Sequence, residues 1–368
     1  MLTWLLRLVH RLAPGKKTAP MAVQTPPSEE TSSPEPTAET PSPVVDNGET
    51  GFSDILSENE FDPDALHGSS RLKWSPEPPA FKAAERADVA ACNPDDVGTL
   101  ASTIISELLA SIDKVPPFPV VAQKLIELSS QSDVRSDLVE RLVVQDAVIA
   151  AKVISTANSP FYGLTHKVET VDHAIRVVGL REVTQIAIAA AAAAIFDTQE
   201  RVAFEAMTTQ QQAAWAHSLA TARGSAWLAM WLGADVQRAY VAGLLHDIGK
   251  PVALRGIGFA LINGRLQEPP TPAMAMAAVE AAHTDVGAML ADSWALGDEM
   301  AAIIEHHHDD DDTILGRIVM LASAVDEIRT NPAQRDDLHV TIISVAQALG
   351  LNDQKLSELA TTVWTKTG

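Results

Sequence analysis

Cysteine is nearly absent: among 368 residues only Cys92 carries a thiol. That excludes an internal disulfide framework, fits a reducing compartment, and rules out zinc held by several thiolates. Basic charge is scarce as well. Lys and Arg number 27 against 48 Asp and Glu, for a formal net charge of -21 and a pI of about 4.8. The chain therefore lacks the basic face that broad contact with a nucleic-acid backbone needs. Strand-like alternation of useful length is missing between 98 and 200, and the apolar stretch at the N-terminus is too short and too interrupted by charge for a transmembrane helix. What is present is 46% hydrophobic residues, enough for one large core or two modest ones. Eleven histidines must carry any soft-ligand chemistry, beside a large supply of carboxylates.

The segment 1–17 opens with MLTWLLRLVHRL, in which Trp4, Leu5, Leu8 and Leu12 recur at helical spacing and Arg7 and Arg11 stand four apart. This is a short basic amphipathic segment with no clear small-residue cleavage site after it. It reads either as a peripheral membrane or partner contact through residues 1–12 or as a tail with some helicity. From 18 to 97 the chain is expected to be a disordered linker rich in Pro, Ser, Thr and Glu. Thr18 to Ala80 alone holds half of the 22 prolines and too little apolar surface to order itself.

From 98 onward the periodicity is helical. Ile104, Ile105, Leu108, Leu109 and Ile112 form one stripe, stopped by Pro116, Pro117 and Pro119. Val121, Leu125 and Leu128 share a second face. A third segment is expected to start at Ser136 as N-cap and to run through Leu138, Leu142, Ile149 and Val153, with Gln145 and Asp146 as polar residues inside it, until Asn158-Ser159-Pro160 breaks it. Val171, Ile175 and Val178 lead to Gly179, and an alanine-rich helix follows. The expectation is an all-α chain with one helical lobe over 98–200 and a second over 201–368.

In the second lobe, separate helices each bring histidine to an inner face. His217 lies in a helix with Trp215, Leu219 and small residues, closed by Gly233. Ala239, Gly243 and His246 repeat at i, i+4, i+7, and Asp247 and Lys250 follow in GLLHDIGK. Two neighbours on a regular helix point about 100° apart, so His246 and Asp247 can grip one ion only near a helix end, which Gly249 is expected to supply. His283, Gly287, Leu290 and Trp294 share another face. Met300, Ile303, Ile304 and His307 make the last stripe, with His307 inward and either His306 or His308 beside it. One such histidine is most simply a satisfied core residue; four deliveries favour a shared site. Imidazoles with a carboxylate suit a divalent ion such as Mn, Fe or Zn, able to activate water, with Lys250 neutralising a phosphate oxygen.

The strings KVPPFPVVAQKLIELSSQSD, LVERLVVQDAVIAAKVISTANSPFYG and VETVDHAIRVVGLREVTQIA resemble, in order and at continuous spacing, the HDOD domain, a bacterial signalling domain related to the HD phosphohydrolase superfamily. The resemblance implies a two-lobed helical HDOD domain with an HD-like helical bundle, here behind a disordered N-terminal region. It places His217, His246 and Asp247 on the superfamily's mononuclear ligand set and His283, His307 and His308 on the histidines of its dinuclear branch. Lys250 falls on the lysine of HDIGK, and Asp247 and Lys250 are the candidate catalytic residues. The chain departs from the pattern where an Ala-Asp step is expected, because Ala322 is followed by Ser323. A Gly-Tyr-Pro signature of cyclic-dinucleotide phosphodiesterases is also missing, Asp309 to Asp312 standing in that region.

The expectation is a cytoplasmic signalling or regulatory protein, peripheral to the inner membrane face at most, which works through a signalling protein partner and holds a structural divalent ion. The alternative is a metal-dependent phosphohydrolase with a nucleotide or other phosphoester as ligand. Sedimentation with lipid vesicles, before and after removal of residues 1–13, decides the role of the first segment. A membrane contact requires that the truncated chain stay in the supernatant; unchanged sedimentation leaves the segment a tail.

Overall fold

A computed structural model describes residues 89 and 91–364, apart from 116, 130–133, 197–207, 310–311 and 332–333. The segment 1–17 and nearly all of the expected linker lie outside the described residues. Within them the regular structure is helical throughout. The first helix, α1, spans Pro94–Ala110. It starts four residues before the expected boundary because Asn93 caps it, accepting from the Asp95 N–H at 3.0 Å, and Pro94 presets the first turn.

The first lobe follows as α2 (Val120–Ser129), α3 (Ser136–Val144), α4 (Ala147–Ala157), α5 (Val171–Val178) and α6 (Leu180–Phe196). The expected single helix through Gln145 and Asp146 is two helices. Asp146 is not a polar residue within a helix but the cap of α4, its carboxylate accepting from Val148 N–H at 2.9 Å and Ile149 N–H at 3.1 Å. Ser136 is the first residue of α3 rather than its cap; Arg135 takes that place without a side-chain bond. Asn158 does more than stop α4: its amide donates to Val168 O and accepts from Val168 N, both at 2.8 Å, which pins the loop ahead of α5. The alanine-rich α6 packs against α2, α4 and α5.

The second block contains α7 (Thr208–Leu232), α8 (Val236–Leu245), α9 (Gly249–Ile262), α10 (Pro272–Ser293) and α11 (Asp298–His306). It closes with α12 (Ile314–Thr330), α13 (Arg335–Ala348) and α14 (Asp353–Trp364). Helix α7 pairs with α8 and α12, α9 pairs with α10, and α10 pairs with α11. Helix α1 does not stay with the first lobe in space: it packs on α9 and α10. Ile104 and Leu108 sit over Gly256, and the buried Glu107 carboxylate accepts from Asn263 at 2.7 Å and Arg265 at 3.0 Å. One apolar core accordingly runs from Leu100 through Val183, Leu245 and Val286 to Val319, across both blocks. A second gathers part of α7 with α12, α13 and α14. No helix among the described residues is long and apolar enough to cross a membrane.

Close approach fixes the crossings. A side chain on Gly243 would stand 2.7 Å from Ser225 Oγ and 2.8 Å from Thr221 O, so only glycine lets α8 lie this near α7. Gly249 differs from its expected role. It is the first residue of α9 rather than the stop of α8, and a Cβ there would fall 1.8 Å from the backbone oxygen of His283. The turn His246-Asp247-Ile248 is what separates the two helices.

Gly249→Ala is therefore expected to destabilise the chain by about 3 kcal/mol or more, since backbone must move. Gly258→Ala in the same helix meets nothing within 4 Å and is expected to be neutral or stabilising by up to about 1 kcal/mol. Urea denaturation of the two variants checks this; equal midpoints would contradict the α9–α10 contact.

Candidate metal centre

Asp247 is the centre of the site. It lies in the turn after α8, 1% exposed, and its Oδ1 has no hydrogen-bond partner among the described groups. Burying an ionised carboxylate costs several kcal/mol unless charge of the other sign compensates it. Lys250, one turn into α9, supplies part of that charge, with Nζ 2.8 Å from Oδ2. Burial pushes the Asp247 carboxyl up, but the Lys250 ammonium, with His246, His307 and His283, outweighs it and holds the group well below the usual carboxylate range.

Histidines surround both oxygens. His283 Nε2 and His307 Nε2 are each 3.4 Å from Oδ1. His283 Nε2 stands 3.4 Å from His307 Nε2 and 3.2 Å from His308 Nε2. On the other side, His246 Nε2 is 3.6 Å and His217 Nε2 3.7 Å from Oδ2, and the two nitrogens are 3.1 Å apart. All six residues named from the sequence for metal binding thus converge, in two groups that share Asp247. His308, not His306, accompanies His307; His306 turns away to Asp309, 3.0 Å off.

Three of these rings are oriented alike. The Nδ1 atoms of His246, His283 and His307 face the carbonyl three residues back, at 2.8, 2.6 and 2.9 Å. A carbonyl only accepts, so each Nδ1 carries a proton, and in the neutral form of such a ring the Nε2 lone pair turns inward. Lone pairs facing lone pairs and an unpartnered carboxylate oxygen repel one another unless a cation lies between them. That donor chemistry fits a divalent ion held by imidazole and carboxylate.

Electrostatics separate His217 from the rest. Burial drives His246 well below its ordinary value, and burial with the Lys250 charge pushes His283 down to about 4. Burial, with His307 and His283 as neighbours, lowers His308 as well. For His217 burial also opposes the charge, but Asp326 reverses the balance: its Oδ2 is 2.8 Å from Nδ1, and with Glu327 and Asp247 it pushes the imidazole up to about 9.

Ser323 lies where the sequence comparison expected a carboxylate, 5% exposed, with Oγ 3.3 Å from His217 Nε2. Asp326, one turn on, does not replace it as a ligand but orients His217 from behind. Glu280 and Glu327 were not foreseen. Glu280 lies 3.4 Å from Lys250 Nζ, and Glu327 lies 3.9 Å from His217 Nε2. The signal for Glu280 was its place one helical turn before His283.

The HDOD domain family matches residues 115–310, just over half the chain. The chain belongs to the HDOD family. Among solved structures, it is similar to an HDOD domain protein of unknown function from Geobacter sulfurreducens, 23% identical, covering 73% of this chain and 98% of that one with a TM-score of 0.53. A candidate metal-dependent phosphohydrolase from Shewanella amazonensis SB2B is 20% identical, covering 70% of this chain and 99% of that one at a TM-score of 0.48. An uncharacterized protein of Treponema pallidum (strain Nichols) is 23% identical over 205 residues, 53% of this chain and 38% of that protein, so the HDOD chain spans well under half of that relative.

The pH dependence of the metal-free protein follows from the opposed shifts of His283 and His217. His283 stays neutral in the fold while the unfolded chain takes up a proton below about 6.5, so stability is lost as pH falls from there towards about 4, on the order of a few kcal/mol. His217 contributes stability below about 6.5 that is lost as pH rises through about 9. Urea midpoints in the presence of a chelator should peak near pH 6.5 and fall on both sides. Asp326→Asn should flatten the alkaline limb, and a limb that stays as steep would remove Asp326 as its cause.

Proposed function

We propose that this HDOD protein is a signalling or regulatory module that acts through contact with a protein partner, and that a divalent ion bound by its histidine cluster serves structure rather than turnover. One observation carries the reading. His246, Asp247, His283 and His307 are 1–3% exposed and come from the ends or middles of α8, α10 and α11, so an ion among them ties helices together inside the core. His308 beside His307 adds a further donor to that group, and His217 on α7 stands with His246 on the other side of Asp247. Structural sites are closed by protein donors, whereas catalytic ones keep a position open. Ser323 points the same way, because a neutral hydroxyl replaces a carboxylate that would otherwise anchor metal on the far side. The single cysteine and acidic composition agree with a cytoplasmic place, and residues 1–12 are the proposed peripheral contact with the inner membrane face.

A second reading, metal-dependent hydrolysis of a nucleotide or other phosphoester, is favoured by Lys250 and by the half-exposed His308, which give the cluster one side towards solvent. In that case the ion would supply Lewis acidity, Asp247 would hold it, and the Lys250 ammonium would receive a phosphate oxygen after leaving Asp247.

The two readings part on one experiment. Purified protein loaded with zinc, manganese or iron is expected to gain thermal stability, with no hydrolysis of a generic phosphodiester. Turnover that disappears in Asp247→Asn would establish the hydrolase and reject the structural role.

A further inference from the structure

The cluster's two halves share Asp247 but are not equivalent. Building on the metal-centre reading above, we propose that the chain takes up a single divalent ion of the zinc type, held by Asp247 Oδ1, His283 Nε2, His307 Nε2 and His308 Nε2. The His217–His246 half takes up none.

Donor spacing is the first ground. Ligands bound about 2.0–2.1 Å from a tetrahedral ion stand about 3.3–3.4 Å from one another. The separations from Asp247 Oδ1 to His283 and His307, and from His283 to His307 and His308, are 3.4, 3.4, 3.4 and 3.2 Å. Four of the six donor separations in this half match the edges of such a tetrahedron, and all four protein donors lie within 4.8 Å of one another. The other half holds three donors, at 3.1, 3.6 and 3.7 Å from one another.

Donor chemistry is the second. His217, His246 and Asp247 give the far half three ligands, and the group nearest a fourth corner is the Ser323 hydroxyl, 3.3 Å from His217 Nε2. A neutral hydroxyl is a weak donor to a divalent ion compared with imidazole or carboxylate. Glu327 Oε1 stands farther off, at 3.9 Å from His217 Nε2.

Charge is the third, and it is independent of the other two. The Asp247 oxygen that faces His217 and His246 is Oδ2, and Lys250 Nζ sits on it at 2.8 Å. A fixed ammonium there compensates that oxygen and repels a further cation. Oδ1, facing the other three histidines, has no hydrogen-bond partner and is buried. One carboxylate thus directs a built-in cation to one side and leaves the other for a metal. The half-exposed side chain of His308 lets an ion reach the buried donors.

The test uses the full chain, stripped with chelator and reloaded with zinc or cobalt, read by metal content after desalting and by cobalt visible absorption. The expected result is one equivalent per chain with the intense visible bands of tetrahedral cobalt. His283→Gln and His308→Gln should weaken binding by at least about tenfold, the range already seen for loss of outer-shell partners. His217→Gln should keep the ion and its spectrum. Circular dichroism verifies folding, and His308 lies far enough out for its variant to fold whatever happens at His283. Two equivalents in the wild type, or an ion lost in His217→Gln and kept in His283→Gln, would overturn the one-sided placement while leaving a metal centre intact. A folded wild type that takes up no ion would overturn the metal-centre reading itself.

Discussion

A carboxylate sunk in a helical core, with one oxygen on an ammonium and the other unpartnered, is the constraint on which the rest of this structure rests. Asp247 could not remain ionised there by itself. Lys250 must come from the next helix, and imidazoles must arrive from α7, α8, α10 and α11, those of His246, His283 and His307 with Nε2 inward. Each of those requirements fixes the rotation of a helix about its axis. The i to i−3 bonds from imidazole to carbonyl then fix the rings of His246, His283 and His307 by backbone rather than by flexible side chains.

Bringing that many helices to one point requires backbones to approach closely. Gly243 lies four residues before Asp247 and Gly249 two after it, and in each case the space of a Cβ is taken, by α7 in one and by α10 in the other. The histidine motif and its glycines are therefore one device. The former provides the donors, and the latter allow α7 and α10 near enough to bring His217 and His283 to the same carboxylate.

Much of this was legible in the sequence, for physical reasons. Helical periodicity showed the all-α fold, because apolar stripes at i, i+4 and i+7 are what a buried face requires. The same periodicity picked out His217, His246, His283 and His307, since an ionisable side chain on such a stripe needs partners. What stayed hidden was mostly a matter of ends and of distance. Gln145-Asp146 looked like part of one helix because a cap and a mid-helix polar residue have the same letters; only the bonds from the Val148 and Ile149 N–H groups to Asp146 distinguish them. His306 and His308 could not be separated in a run of three. The role of Asp326 depended on the face that α12 turns to α7, and the packing of α1 on α9 and α10 joins residues some 150 positions apart in the chain, as in the bonds from Asn263 and Arg265 to Glu107.

The division of the molecule into two apolar cores gives His217 a position of leverage. The helix that carries it contributes to both cores, and its partners Ser323 and Asp326 belong to α12, in the core that also gathers α13 and α14. The imidazole consequently joins α7 to α12 where the two apolar cores meet. Whatever alters its charge or its grip on Asp326 is felt at that junction.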